Sequence, residues 1–272
     1  MHTWKLVWHK ARFVEPNNTI LNLISKARDP QYLPFLAQLF HRDDIEFSFN
    51  DPLHNYLYMH GIIASDTVVS PTGEWVEVCR FTSPFVQGCL YDALSRELVC
   101  SRMPILALEP LDTLEDVFGG ERLDLVALLE RYKGYLARLR AKGLNPWREQ
   151  PRRRSDFHLT EAVGHFHLYA WLKEAVGRRC VVSPEFPTGN GKVDLFLRCG
   201  EKRGVLEVKS FVDAYGLARD REKAARYGKS LGLDEVTLAV FVPTGDEEVL
   251  AALSGEEEID GVTVRTVAIG WE

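Results

Sequence analysis

The chain has 272 residues, of which 46% are hydrophobic and 26% are charged, and its formal net charge is −6. This composition is that of a globular protein with one large or two modest domains, and no apolar run of about 18 residues predicts a membrane span. The N-terminus lacks the pattern of a signal peptide. The five cysteines are scattered and never spaced as CxxC. We therefore expect a cytoplasmic protein with reduced thiols and no zinc knuckle.

The negative charge is concentrated at one end of the chain. Residues 241–272 carry eight acidic side chains and one basic side chain, which leaves 32 bases and 31 acids in the first 240 residues. A basic patch lies at residues 142–154, KGLNPWREQPRRR. Because local patches attract nucleic acid more than the total charge does, the net charge does not exclude such a partner. The acidic run at 244–260 is either a solvated end or a helix with polar flanks.

The first part of the chain, residues 1–102, predicts helices followed by a strand pair and a further helix. A Pro-Thr-Gly turn at 71–73 lies between two β-rich runs and indicates a hairpin. Asp51 is a candidate helix cap, with Pro52 at the first helical position. Helical patterns cover residues 19–27, 32–42, 51–63 and 83–98. This order predicts a winged-helix-like domain, which would contact DNA, contact protein or serve only for packing.

Residues 103–154 predict a helical connector that ends in a basic linker. Apolar residues recur at helical spacing between 123 and 143, and Gly143 then closes the helix. In the linker that follows, Arg152 and Arg153 are candidates for contact with nucleic acid.

Residues 155–272 predict a mixed α/β domain. A helix at 156–177 precedes three strands, and a charged helix at 215–231 precedes two more. The strands are expected at 180–186, 192–198, 204–211, 235–243 and 262–270.

Three charged residues, Asp194, Glu207 and Lys209, lie in neighbouring predicted strands. Because side chains alternate between the faces of a strand, a turn at 198–204 brings all three to one rim of the sheet. Two carboxylates, with the carbonyl of Val208 as a further ligand, suit Mg²⁺. The alternative is a cross-strand ion pair, but charges within an apolar strand are costly to bury unless they coordinate something.

The stretch EFPTGNGKVDLFLRCGEKRGVLEVKSF, at 185–211, resembles the core of the PD-(D/E)xK nuclease superfamily. The resemblance covers about residues 156–245. It implies a restriction-endonuclease-like mixed sheet flanked by helices. It also implies that Asp194, Glu207 and Glu161 bind Mg²⁺, with Mn²⁺ as a substitute, and that Lys209 acts in catalysis.

The charged helix departs from the superfamily pattern at one position. Many members carry a Gln before an A-x-x-Y segment, whereas this sequence has Lys223 before AARY. Arg219, Lys223 and Arg226 are candidates for contact with DNA phosphates, and the alternative is a solvated face paired with acidic neighbours. His158, Glu161 and His165 share a predicted helical face, as a polar stripe or a two-histidine metal site.

The front of the chain also resembles a known arrangement. Residues 44–65 and 80–94 are similar to the winged-helix region that follows an AAA-like ATPase domain in certain prokaryotic proteins ending in such a nuclease. No phosphate-binding loop is present, so the ATPase is either absent or precedes this chain in a longer protein. Together the resemblances imply a Mg²⁺-dependent deoxyribonuclease, with an ATPase or other protein partner and a homodimer as further expectations. The alternative is a catalytically silent module that binds nucleic acid or the ATPase.

Overall fold

The computed structural model describes residues 18–40, 42, 44–70, 73–99, 103–148, 150, 152–153, 155–187 and 192–272. The chain divides into two compact units, Met1–Leu94 and Ser95–Glu272. Within these described ranges, no helix combines the length and the apolar character needed to cross a membrane.

The first unit has the predicted order of helices and strands. Its elements are α1 (Asn18–Ala27), α2 (Leu33–Leu39), α3 (Pro52–Met59), β1 (Ile63–Val69) and β2 (Trp75–Phe81). They are followed by α4 (Pro84–Val99), which continues past the end of the unit at Leu94. β1 and β2 pair antiparallel, and part of their predicted turn, Pro71 and Thr72, lies outside the described residues. The predicted cap of α3 is confirmed, because the Asp51 carboxylate accepts hydrogen bonds from the backbone N–H groups of Leu53 and His54. This cap satisfies N–H groups that have no partner inside the helix.

The second unit is a mixed sheet with helices around it. Its helices are α5 (Glu115–Gly119), α6 (Leu125–Ala141), α7 (Glu161–Ala175), α8 (Ala214–Leu231) and α9 (Glu247–Leu253), with a 3-10 turn at Gly177–Arg179. Its strands are β3 (Val181–Pro187), β4 (Lys192–Cys199), β5 (Lys202–Ser210), β6 (Glu235–Val242), β7 (Gly255–Ile259) and β8 (Val262–Gly270). They lie in the order β3-β4-β5-β6-β8-β7. The β5–β6 and β6–β8 pairs are parallel and the others are antiparallel. The predicted mixed α/β class is therefore confirmed.

The predicted helix at 123–143 is confirmed as α6. It buries the apolar face that the spacing indicated, with Leu125, Leu128, Leu129, Tyr132, Leu136 and Leu139 among its buried residues. Gly143 adopts a positive φ of 68° just after the helix, a conformation that glycine reaches without steric cost.

Helix α7 begins at Glu161, later than the predicted start at 156. The preceding residues form a turn in which the Asp156 carboxylate accepts a hydrogen bond from the backbone of His158. Phe157 there has a φ of 59°, which a right-handed helix does not contain. The predicted helical stripe of His158, Glu161 and His165 is therefore wrong, because His158 lies before the helix.

The acidic run forms two short elements. Asp246 caps α9 by accepting hydrogen bonds from the backbone of Glu248 and Val249, so this part is the predicted helix with polar flanks. The glutamates after it form the edge strand β7, which was not predicted because acidic residues are rare in strands. Charged side chains on an edge strand discourage pairing with another chain.

The prediction of five reduced cysteines is wrong for one pair. Cys180 and Cys199 form a disulfide, with their Cα atoms 4.2 Å apart. The cause is the register of the antiparallel β3–β4 pair, in which Val181 lies opposite Arg198. The next residues beyond this pair are Cys180 and Cys199, which therefore face each other. The β4–β5 turn is also shorter than predicted, because the strands extend to Cys199 and from Lys202. Cys79 and Cys89 are buried and are not part of a disulfide, and Cys100 lies outside the described residues.

Candidate active site

The structure brings together the four side chains predicted to form a site. Asp194 lies on β4, Glu207 and Lys209 lie on β5, and Glu161 is the first residue of α7. The Lys209 Nζ atom lies 2.9 Å from Glu161 Oε1, 3.2 Å from Asp194 Oδ2 and 3.7 Å from Glu207 Oε2. It lies 2.8 Å from the carbonyl oxygen of Val208. All four groups predicted to be metal ligands therefore surround one cation, which is the ammonium of Lys209.

The two strand carboxylates are fixed by backbone groups where the β4–β5 ladder ends. Regular pairing stops at Leu195 opposite Leu206. Beyond it, Asp194 Oδ2 accepts a hydrogen bond from the Val208 N–H at 2.7 Å. In return, Glu207 Oε1 accepts one from the Asp194 N–H at 3.2 Å. The carboxylates thus replace ladder hydrogen bonds, which holds each side chain in one orientation.

Helix α7 supplies a further contact to Asp194. The fully buried ring of His165 donates from Nε2 to the Asp194 carbonyl oxygen, 3.0 Å away. The helix can approach the sheet this closely because residue 164 is glycine. A Cβ atom there would lie 2.6 Å from the ring of Phe241 on β6. Gly164 therefore allows the packing that places His165 and Glu161 beside the strands.

Burial and mutual repulsion set the charges in the cluster. Burial, helped by the negative charge of Asp194, raises the pKa of Glu207 well above its usual range. Glu161 is partly buried, and the loss of solvation likewise raises its pKa, although Lys209 opposes the shift. Burial alone would lower the pKa of Lys209, but the attraction of Asp194, Glu161 and Glu207 raises it overall. Lys209 is therefore a protonated ammonium at neutral pH.

Helix α8 brings a second group of charges towards the cluster. Asp220 interacts electrostatically with Lys209, Lys223 and Asp194, and its own pKa is raised chiefly by burial. The Nζ atom of Lys223 lies 5.5 Å from the centre of the Tyr227 ring. From the sequence, Asp220 was expected only to be one of the acidic neighbours that pair with the basic helix face, and its approach to the site was not predicted. The sequence spacing could have indicated this approach. Asp220 precedes Lys223 by three residues and Tyr227 by seven, so all three lie on one face of a helix.

The predicted DNA-contacting residues fall into two groups. Arg219, Lys223 and Arg226 are exposed on α8. In the linker, the Arg153 guanidinium bonds to the Asp156 carboxylate and to the carbonyl oxygen of Phe211. The Arg152 guanidinium lies 4.5 Å from the centre of the Trp271 ring. The two linker arginines thus make contacts within the second unit, and their role towards DNA stays a prediction.

No ready-made metal cage is present in the described part of the chain. There, no group of three or more His, Cys, Asp or Glu side chains is arranged to hold a metal ion. In the cluster, the Lys209 ammonium lies between the carboxylates and bonds to their oxygens. The oxygen donors are of the kind that Mg²⁺ prefers, but a metal at their centre requires the lysine to move aside.

Comparison of the chain with family models, with curated proteins and with solved structures found no significant match. The mixed α/β architecture therefore stands on the coordinates alone.

Proposed function

We propose that the chain is a metal-dependent nuclease that hydrolyses phosphodiester bonds in DNA. The observation that carries the proposal is the convergence of four oxygen donors around the Lys209 ammonium at the end of β5. Buried charges of this kind are costly to maintain in a fold and concentrate at functional sites.

Asp194, Glu207, Glu161 and the Val208 carbonyl would hold Mg²⁺, with Mn²⁺ as a substitute. When bound, the cation supplies a Lewis acid that stabilises negative charge on the phosphate and makes water a better nucleophile at neutral pH. The donor set fits this role because all of its members are oxygens and two of them are fixed by backbone hydrogen bonds.

The side chains of the chain itself have separate roles. The Lys209 ammonium can donate hydrogen bonds to a phosphate oxygen or orient the attacking water. Glu161 is one-third exposed and would either ligate the metal or accept a proton from that water. On α8, Lys223 and its neighbouring arginines would contact the phosphate backbone.

The remaining assignments follow from the same proposal. The second unit would have the restriction-endonuclease-like fold, and the first would be a winged-helix domain that contacts DNA or an ATPase partner. A cytoplasmic location suits a DNA substrate, but the Cys180–Cys199 disulfide removes the support that reduced thiols gave to that location. A homodimer would allow both strands to be cut.

One observation favours a second candidate function, a catalytically silent module. Lys209 contacts every donor that the metal would need. If that arrangement is permanent, the cluster is a structural charge network, and the chain binds nucleic acid or an ATPase partner without cutting.

Cleavage of circular DNA decides between the two candidates. Circular single-stranded and supercoiled duplex DNA are incubated with the protein and Mg²⁺, Mn²⁺ or EDTA. We expect metal-dependent cutting that Asp194→Asn and Lys209→Met abolish. The exposed Glu258→Gln on β7 is the matched control and should cut normally. Cutting that survives in Asp194→Asn, or no cutting by folded wild-type protein, would contradict the proposal.

A further inference from the structure

Phe157 is an exposed aromatic residue held in an unfavourable backbone conformation. Its φ is 59° and its side chain is 76% exposed. Bulky residues rarely adopt a positive φ, so the surrounding structure must enforce it. Two backbone hydrogen bonds hold the turn in this conformation. The Phe157 N–H donates to the Arg153 carbonyl at 3.0 Å, and the Arg153 N–H donates to the His158 carbonyl at 2.8 Å.

The same turn is attached to the strand that carries the site. The Arg153 guanidinium donates to the carbonyl oxygens of Ser210, at 3.4 Å, and Phe211, at 2.8 Å. The Ser210 hydroxyl donates to the Leu159 carbonyl at 2.7 Å. Because Ser210 directly follows Lys209, these contacts fix the turn next to the cluster. The turn that carries Phe157 therefore lies beside the end of β5 that carries the cluster, and we call this end of the strand with its neighbouring turn the rim.

A second exposed apolar group flanks the same end of β5. Val212 is 60% exposed and Tyr215 is 74% exposed, where the chain leaves β5 and enters α8. Arg219 and Lys223 follow Tyr215 at intervals of four residues, so the three residues lie along one side of the helix. The rim thus combines two exposed aromatic rings with a row of cations.

We propose that Phe157 and Tyr215 stack on unpaired bases beside the scissile phosphate, which makes single-stranded DNA the substrate class. The substrate assignment rests on the nuclease proposed above. Base faces are accessible to a ring in a single strand but are covered by neighbouring bases in a duplex, and stacking tolerates any sequence. The cations of α8 complement the phosphates of the same strand.

Binding to DNA in EDTA tests the proposal without requiring cleavage. Fluorescence anisotropy compares the affinity for a labelled thymidine oligonucleotide with the affinity for a duplex of equal length. A length of about 20 nucleotides exceeds the site size of a typical single-strand-binding groove. We expect Phe157→Ala and Tyr215→Ala each to weaken binding of the single strand about 5- to 150-fold and to leave duplex binding unchanged. Phe157→Trp should retain affinity. Phe157→Ala keeps a Cβ atom, so it does not relieve the backbone strain, and thermal unfolding checks that each variant is folded.

The matched control removes exposed apolar surface away from the rim. Leu111 is 92% exposed in the same unit, and Leu111→Ala should bind like the wild type. The inference is overturned if the wild type does not prefer the single strand, or if both alanine variants bind it normally. It is also overturned if Phe157→Ala changes only the oligomeric state, since the rim would then contact protein. Phe157-dependent binding without any cleavage would support the stacking surface and contradict the nuclease.

Discussion

At the scale of single residues, Lys209 is the positive charge that makes the cluster tolerable. It neutralises carboxylates that are mostly buried, and Glu207 is only 1% exposed. Removing one partner of a buried charge network leaves the other charges uncompensated. The resulting loss of folding stability is larger than the net stabilisation that the contact itself provided.

Lys209→Met should therefore destabilise the protein by about 3 kcal/mol in EDTA. Saturating Mg²⁺ should recover part of the lost stability, because a divalent cation that binds the folded state neutralises the carboxylates in place of Lys209. Chemical unfolding with and without Mg²⁺ measures both effects. Lys229→Met, an exposed lysine on α8, is the control. A loss that Mg²⁺ leaves unchanged would indicate that the oxygens do not hold the metal.

His165 is expected to act as a positioning residue through the Asp194 carbonyl. His165→Leu removes that hydrogen bond, and we expect the metal concentration for half-maximal cleavage to rise about tenfold. The rate at saturating metal should fall less. His165→Gln can still donate a hydrogen bond and should recover part of the affinity. Equal metal requirements for the leucine variant and the wild type would refute the role.

Much of the site could be predicted from single residues, and the reason is strand alternation. It places Asp194 and Glu207 on one face, just beyond the last regular pair of the ladder, Leu195 opposite Leu206. The role of His165 could not be predicted, because a hydrogen bond to a main-chain carbonyl leaves no pattern in the sequence. The start of α7 was misplaced because Arg153, through contacts with β5, holds the preceding turn out of the helix.

At the scale of elements, helices α6 and α7 share a buried polar contact. The Tyr132 hydroxyl lies 2.6 Å from His167 Nδ1. Burial lowers the pKa of His167 to about 3, so the ring is neutral in the folded protein. The unfolded chain binds a proton near pH 6.5, and stability therefore falls as the pH drops from about 6.5 towards 3.

This histidine should contribute a loss of about 2 kcal/mol between pH 7 and pH 5. Urea unfolding of the wild type and His167→Gln across this range isolates the effect, because the other titrating groups are common to both proteins. We expect the stability difference between the two to shrink by that amount as the pH falls. A difference that stays constant with pH would mean that His167 is not buried as a neutral ring.

The disulfide belongs to the β3–β4 pair. Cys180 and Cys199 are 19 residues apart, and closing a loop of this size restricts the unfolded chain. Replacing both with serine should cost about 3 kcal/mol. A reducing agent should lower the stability of the wild type by a similar amount and leave the double variant unaffected. Equal stability of the oxidised and reduced wild type would show that the bond does not contribute.

At the scale of the whole molecule, most of the order of elements could be predicted, except α5 and β7, but their arrangement could not. The apolar run at 235–243 predicted β6, as expected of a buried parallel strand. The β-rich run at 262–270 predicted β8, although it includes Thr263, Arg265 and Thr266. The insertion of β8 between β6 and β7 depends on long-range pairing, which local patterns do not encode. The cysteine pairing has the same origin, since it follows from the β3–β4 register.

The central claim is that the oxygens around Lys209 also bind a catalytic metal, and a titration with Mn²⁺ tests it most directly. Calorimetry on the wild type, Asp194→Asn and Glu258→Gln measures binding without DNA. The account predicts that the wild type and Glu258→Gln bind Mn²⁺ and that Asp194→Asn loses this binding. Undetectable binding to folded wild type, or equal binding by Asp194→Asn, would contradict it and favour a silent charge network.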